Sequence, residues 1–182
     1  MARPGDVIED PRDGARIVFL RTGAETNGQL LELDLFLRPG GKAPPKHVHP
    51  NHEERFRVVS GSLTAWVSGQ LSTLVAGDEC VVPKGCVHTC WNSGNGEARV
   101  HGEFRPAART ERWEAIFAFA QDRVRNPLQY AVTLWEFRQD VTFPGLAPKI
   151  LLPCLAALGR LLRYKADYPY SYGKAKSQAG QH

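Results

Sequence analysis

The feature that most constrains this chain is a group of histidines and one glutamate that lies between two glycines. His47 and His49 are separated by one residue, and Glu54 follows after a Pro-Asn pair that predicts a turn. Alternate residues of an extended chain point to the same side, so both imidazoles enter one space. Two imidazoles and a carboxylate suit a divalent transition metal. The segment therefore predicts a metal site held by adjacent strands.

A second segment supplies another histidine. Gly77 is followed by five residues and then by Pro83-Lys84-Gly85, after which two residues precede His88 and three more precede Asn92. The glycine and the Pro-x-Gly triplet predict turns on either side of a short strand. We expect His88 to face inward on the next strand, where it can serve as a fourth ligand.

The residues around these segments are typical of a β-sheet protein. Between residues 15 and 105, β-branched and aromatic residues are interrupted by turn residues at roughly eight- to twelve-residue intervals. Leucines alternate with Glu32 and Asp34, which predicts a strand with one buried face. We predict strands at Arg16–Arg21, Leu30–Leu37, Glu54–Val59, Leu63–Val67, Leu71–Ala76, Glu79–Val82, Val87–Trp91 and Ala98–Phe104.

Helical periodicity replaces this pattern after Pro106. Apolar residues from Trp113 to Val124 follow helical spacing, and Asn126-Pro127 ends that helix and begins the next, which we expect to reach Gln139. A third helix is predicted from Pro153 to Arg163, and residues 174–182 are expected to be disordered. We thus expect a lead-in (1–14), a β-barrel (15–105) and a helical extension with a flexible tail (106–182).

Charge and segment composition exclude several functions. The chain of 182 residues has a net charge of +4, but residues 145–182 hold six basic residues and one acidic residue, so the rest is near neutral. It has no basic stripe for phosphates, and we expect no nucleic-acid partner. The longest apolar run, Ile150 to Leu158, is shorter than the roughly 20 residues that span a bilayer. No signal peptide is evident, so we expect a cytoplasmic protein with free thiols and no membrane partner.

Together, the two segments resemble both motifs of the cupin superfamily. The first motif is G-x5-H-x-H-x(3,4)-E-x6-G and the second is G-x5-P-x-G-x2-H-x3-N, and every position is matched here. The resemblance covers roughly residues 15–105. It implies an all-β fold, an antiparallel jelly-roll β-barrel, to which a C-terminal α-helical extension is added. It also implies one divalent metal ion, Fe, Mn, Ni, Co or Zn, with His47, His49, Glu54 and His88 as ligands.

Several neighbouring residues leave alternatives open. Glu53 also fits the motif's variable spacing, but only Glu54 leaves six residues before Gly61. We expect His52 to be an exposed loop residue, and His101 to be satisfied or outward rather than a cavity residue. Cys90 is expected to face the cavity as a small buried group. Five aromatic residues are candidates for an apolar pocket: Phe36, Phe56, Trp66, Trp91 and Phe104.

The resemblance does not fix the reaction, because cupins include dioxygenases, decarboxylases, isomerases and binding proteins. We expect a metal-dependent, oxygenase-like enzyme that acts on a small, partly apolar or enolic substrate, and we assign no catalytic residue. The alternatives are a non-catalytic cupin that binds or senses a small ligand, and a sugar isomerase or epimerase.

The C-terminal region admits two interpretations. Its helices either pack on the barrel, closing its mouth or forming a dimer surface, or dock on a membrane or acidic partner through Arg160, Arg163 and Lys165. We expect packing, and a homodimer in which paired edge strands are protected. Tyr164, Tyr168, Tyr170 and Tyr172 are expected to lie extended on a surface.

Overall fold

The computed structural model describes residues 1–172. The predicted disordered tail at 174–182 lies outside the described residues. Nine strands precede three helices in the order β1 (Val7–Glu9), β2 (Arg16–Arg21), β3 (Leu31–Leu37), β4 (Glu53–Ser60), β5 (Ser62–Val67), β6 (Gln70–Val75), β7 (Glu79–Val82), β8 (His88–Trp91), β9 (Ala98–Arg105), α1 (Glu111–Gln121), α2 (Pro127–Glu136) and α3 (Leu146–Leu161).

The strands form two antiparallel sheets. Six of them pair in the order β1-β2-β3-β9-β4-β7, and three pair in the order β6-β5-β8. The expected antiparallel β-rich fold with C-terminal helices is therefore confirmed. Among residues 1–172 no named strand of one sheet pairs with a named strand of the other, so a closed barrel is not established by the strand pairing.

Two groups of apolar side chains hold these layers together. One group, with Phe56, Val58 and Leu63 among its members, packs strands of both sheets against each other. The other joins β1, β2 and β3 to α1 and includes Phe19 and Trp113. Full burial of one such side chain stabilises the folded protein by roughly 1.5–3 kcal/mol. Helix α1 therefore packs against the six-stranded sheet, which also holds Glu54 of the candidate site.

All eight predicted strands are confirmed to within one residue at each end, but one strand was missed and the third helix was predicted to begin too late. β1 was not predicted, because its three residues are too few to show a period. The third helix begins at Leu146 and not at Pro153, which lies inside it. The proline ring does not end the helix, which continues to Leu161.

 Because Pro153 has no backbone N–H, the carbonyl of Lys149 lacks its usual helical donor. The rest of the helix tolerates this local cost.

The contact between α2 and α3 explains a glycine that weakens the third helix. Gly159 is buried in α3, and a β-carbon there would lie 2.5 Å from Val132 Cγ2 and 3.1 Å from the carbonyl oxygen of Leu128. Any side chain would therefore separate the two helices. The sequence alone shows only that glycine is a poor helix former.

The tyrosine-rich segment after α3 lies on this chain's own fold. Tyr170 is buried, and its hydroxyl accepts a hydrogen bond of 3.0 Å from the N–H of Glu9. The Tyr172 hydroxyl donates to Glu114 Oε1 at 2.8 Å, and the Tyr168 ring packs edge-on against Phe119. The segment thus ties the C-terminal region to β1 and α1.

The outer side of α3 has no covering element among the described residues. We call it the leucine face, and its side chains are 36 to 78% exposed: Leu146, Ile150, Leu151, Leu155, Leu158, Leu161 and Leu162. The predicted side with Leu155, Leu158 and Leu162 is therefore not packed within one copy of residues 1–172. No described helix is both long enough and apolar enough to cross a bilayer.

The close helix contact predicts that Gly159→Ala lowers the free energy of unfolding by about 1–3 kcal/mol, because the added methyl group clashes with α2. Helix propensity alone predicts the opposite sign, a gain of about 1 kcal/mol. Urea unfolding followed by circular dichroism measures the difference. Ala157→Gly, at an exposed position of the same helix, is the control and should cost about 1 kcal/mol. A more stable Gly159→Ala protein would contradict the close contact.

Candidate metal centre

The four predicted ligands come together in the structure. His47, His49, Glu54 and His88 each offer a ligand atom, and these atoms all lie within 4.8 Å of one another. Glu54 is at the start of β4 and His88 at the start of β8, so the group lies where the two sheets approach each other. An isolated antiparallel bridge pairs His47 with His88 and fixes their separation.

Each histidine of the group is oriented through its Nδ1 atom. Nδ1 of His47 lies 2.9 Å from the Pro45 carbonyl, that of His49 lies 2.6 Å from the Asp140 carbonyl, and that of His88 lies 3.1 Å from the Cys86 carbonyl. A carbonyl oxygen can only accept, so each Nδ1 donates its proton. In a neutral ring, Nε2 then carries a free lone pair, and this tautomer is the one that binds a metal through Nε2.

The carboxylate of Glu54 faces two of these Nε2 atoms. Its Oε2 atom is 2.9 Å from His88 Nε2 and 3.2 Å from His49 Nε2. The His49 nitrogen is buried and makes no hydrogen bond among the described residues. Lone pairs of nitrogen and oxygen therefore meet in a buried space, an arrangement that a cation stabilises. This chemistry of the donor set fits a divalent metal ion.

The electrostatics of the group favour the metal-binding forms of Glu54 and His47. Burial opposes ionisation of Glu54, but the neighbouring imidazoles of His49 and His88 hold its pKa well below its usual range. Burial and the neighbouring His88 lower the pKa of His47 to about 3, so this ring is neutral near pH 7. For His88, burial opposes the charged form, but the hydrogen bond to Glu54 raises its pKa.

Glu54, and not its neighbour Glu53, belongs to the group. Glu53 is half-buried, and its Oε1 lies 3.8 Å from Arg55 NH2. Cys90 lines the same cavity as His88, as expected. Burial raises the pKa of its thiol, which disfavours a thiolate ligand. Asn92 is a structural residue, because its amide donates to the carbonyls of Leu37 and Gly96, each at 2.7 Å.

The prediction that His52 is exposed was wrong. The residue is 5% exposed, and its Nδ1 donates to the Pro106 carbonyl at 2.8 Å. Its Nε2 lies 3.2 Å from Asp140 Oδ1, and Arg109 Nε donates to the other oxygen of that carboxylate at 2.8 Å. The reason is the segment after α2, which covers the loop that precedes β4. Local sequence around His52 gives no sign of this distant partner.

This network also reaches the candidate ligands. The backbone carbonyl of Asp140 accepts the proton of His49, while its side chain binds His52 and Arg109. Burial opposes ionisation of Asp140, but these partners lower its pKa to about 2. The helical region therefore orients one of the four candidate ligands, a role that sequence motifs in the β-region did not indicate.

The group opens into a cavity of about 340 Å³. The helices wall it on one side, as the packing interpretation expected, with side chains from α1, α2 and the segment before α3: Arg112, Trp113, Ile116, Phe117, Leu134, Val141 and Phe143. Among the five aromatic candidates only Phe56 lines this cavity, whereas Phe104 packs in the core. The cavity's other aromatic residues come from the helical region.

A second group of potential ligands lies elsewhere, on β3 and β9. It consists of Glu32, His101 and Glu103. Arg21 already pairs with Glu32 at 3.1 Å, and Arg105 pairs with Glu103 at 3.0 Å. Nδ1 of His101 lies 3.1 Å from Asp34 Oδ1, so this histidine is satisfied, as expected. These arginines neutralise the group and make it the weaker candidate for a metal.

Comparison with known proteins identifies the class to which this fold and site belong. Residues 35–101 match the model of the cupin domain. The match covers 67 of the 182 residues, and both motifs described above lie wholly within it, so this part of the chain is similar to cupins.

Individual relatives agree with this assignment. A germin-like protein 9-3 of Oryza sativa subsp. japonica is 37% identical over 87 residues, which is 45% of this chain and 41% of that protein. An oxidoreductase of Arthrobotrys oligospora is 27% identical over 150 residues, which is 80% of this chain and 52% of that protein. The chain thus spans about half the length of the curated relatives it matches.

A solved structure shares the fold. It is a predicted oxalate decarboxylase of Thermotoga maritima, with a TM-score of 0.50, 19% identity, and coverage of 58% of this chain and 98% of that chain. At this identity, the similarity concerns the fold alone.

Proposed function

We propose that this protein is a metal-dependent cupin enzyme of the oxygenase type, which acts on a small, partly apolar or enolic substrate. The observation that supports it most is the convergence of four ligand atoms at the end of an apolar cavity. In this proposal His47, His49, Glu54 and His88 hold one divalent ion, Fe, Mn, Ni, Co or Zn. When bound, such an ion supplies a Lewis acid with positions open to substrate oxygen atoms.

The chain's own residues have separate tasks in this proposal. The carbonyls of Pro45, Asp140 and Cys86 keep the three imidazoles in the ligand tautomer. The apolar walls from α1 and from the segment before α3 bind the substrate body and exclude water. We further propose that residues 15–105 form a closed jelly-roll barrel after a lead-in at 1–14, and that residues 106–182 are a C-terminal extension whose described part, up to residue 172, carries the helices.

The relative that is named an oxidoreductase supports the oxygenase type, because its match extends over 80% of this chain. The alternative is a non-catalytic cupin that binds or senses a small ligand. It is supported by the state of two acidic residues that line the cavity. Asp10 is paired with Arg12 at 2.6 Å and Asp13 is exposed, so neither can serve as a buried, unpaired general base. The apolar lining disfavours a sugar isomerase or epimerase.

The ligand assignment predicts the metal content of purified variants. Wild-type protein should hold close to one ion per chain, and His47→Ala and His88→Ala should lower the content on the order of tenfold or more, because each removes a ligand. Elemental analysis by mass spectrometry measures this. His101→Ala is the control, because that histidine lies outside the group and should leave the content unchanged. A wild type that holds far less than one ion under metal-replete growth would contradict the assignment.

Oxygen uptake tests the proposed reaction. Protein loaded with Fe, Mn, Co or Ni is mixed with a panel of phenols and 1,3-diketones, and dissolved oxygen is followed with an electrode. We expect consumption with at least one metal and loss of consumption in His47→Ala. A panel that binds but is recovered unchanged, with no oxygen consumed for any metal, contradicts the enzyme and supports the binding protein.

We also propose that the protein is a cytoplasmic homodimer, without nucleic acid or membrane as a partner. The four cysteines are unpaired, which supports a reducing compartment. The leucine face supports a second copy as the occupant, because an apolar surface of this kind marks an interface. Arg160 of α3 is paired with Glu136 at 3.3 Å, so α3 offers few free basic groups to an anionic membrane.

Light scattering measures the dimer directly. We expect a mass of about twice 20.2 kDa for wild type and a shift to the monomer mass for Leu158→Glu, because the new charge would be buried in the interface. Leu71→Glu, at an exposed position of edge strand β6, is the control and should stay dimeric. Dissociation of Leu71→Glu alone would instead indicate pairing through edge strands, and a monomeric wild type would contradict the dimer.

A further inference from the structure

A buried arginine in the cavity has no polar partner. Arg112, on α1, is 6% exposed and lines the same cavity as the four candidate ligands. Its guanidinium makes no hydrogen bond or ion pair with any of residues 1–172, and its Nε atom is fully buried. Its contacts are aromatic, because the guanidinium carbon lies 3.7 Å from the ring centre of Trp113 and 5.8 Å from that of Phe104.

Such a group is costly to the folded protein. Removing an ion from water costs several kcal/mol unless a partner compensates. Burial lowers the pKa of Arg112 to about 10, which still leaves the guanidinium charged near pH 7. A cation–π contact with Trp113 offsets part of this cost but leaves the hydrogen-bond donors unused.

The nearby carboxylates are engaged elsewhere. Glu54 is held by His49 and His88, and it lies beyond ion-pair distance of Arg112. Asp140 is held by Arg109 and His52. The other arginine that lines the cavity, Arg16, pairs with Glu97 at 3.1 Å. Among the cavity's arginines in the described chain, Arg112 alone is buried with its donors free.

We propose that Arg112 binds the carboxylate of a small organic acid whose apolar body lies against the helical wall of the cavity. The planar guanidinium can donate two parallel hydrogen bonds to a carboxylate, and stacking on Trp113 holds its plane in advance. Ile116, Phe117 and Leu134 offer the apolar contacts. A volume of about 340 Å³ admits an acid of the size of benzoate or phenylacetate.

This inference deepens the proposed function and rests on it in one respect, that the far end of the acid reaches the metal centre. The anion contact itself needs no metal. Binding to metal-loaded and metal-free protein therefore separates the two proposals.

Calorimetry with matched acids and amides tests the contact on the full chain. The probes are benzoate and phenylacetate, with benzamide and phenylacetamide as neutral counterparts of nearly the same shape. We expect wild type to bind at least one acid about tenfold or more tightly than its amide, since a charge-assisted pair is lost in the amide. In Arg112→Met the acid should weaken to the level of the amide, while amide binding changes little.

Two further variants and a thermal readout keep the test decisive. Arg16→Met removes a cavity arginine that already has a partner and should preserve the preference for acids. Arg112→Lys should retain part of it, because the charge remains but the fork of donors is lost. Because the arginine is unpaired without ligand, Arg112→Met should melt no lower than wild type, and the acid should raise the melting temperature of wild type alone.

The outcomes assign failure separately to each proposal. Acid binding that depends on Arg112, in a wild type that takes up no metal under metal-replete growth, would support the anion contact and count against the metal centre. Equal binding of acids and amides to wild type would overturn the contact, as would unchanged acid binding by Arg112→Met. A wild type that binds neither acid below about 10 mM, a range weaker than ordinary specific binding, would also overturn it.

Discussion

Hydrogen bonds from three imidazole Nδ1 atoms to backbone carbonyls are the constraint on which the site depends. They involve His47, His49 and His88, and they leave the three Nε2 atoms free to bind a cation together with Glu54. Without them, each ring could rotate or carry its proton on the other nitrogen, and no common point would exist for a cation. The backbone fold, and not only the ligand side chains, therefore defines the candidate metal centre.

The carbonyl that orients His49 comes from Asp140, well beyond the β-region. The side chain of Asp140 is fixed by His52 and Arg109, and an isolated bridge between Val48 and Thr142 joins the same two segments. The helices also wall the cavity, and the tyrosine segment fastens them to β1. The helical extension is thus part of the site: it orients a candidate ligand, closes the cavity and brings Arg112 into it.

The sequence predicted the parts of the site that depend on local spacing. The alternation of His47 and His49, the turn before Glu54 and the turn before His88 are encoded within short segments, so their convergence could be expected. The burial of His52, the cavity walls and the free guanidinium of Arg112 depend on where α1 and α2 pack against the sheets. Such long-range contacts leave no period or motif in the chain. Gly159 is a similar case, because its role becomes visible only beside Val132.

We propose that His47, His49, Glu54 and His88 hold one metal ion at the cavity that they line. A crystal structure of the metal-loaded protein, with diffraction data collected on both sides of the metal's absorption edge, tests it most directly. We expect a single strong anomalous peak among the three Nε2 atoms and the Glu54 carboxylate. A peak at Glu32, His101 and Glu103 instead, or no peak at the four residues in fully loaded protein, would contradict it.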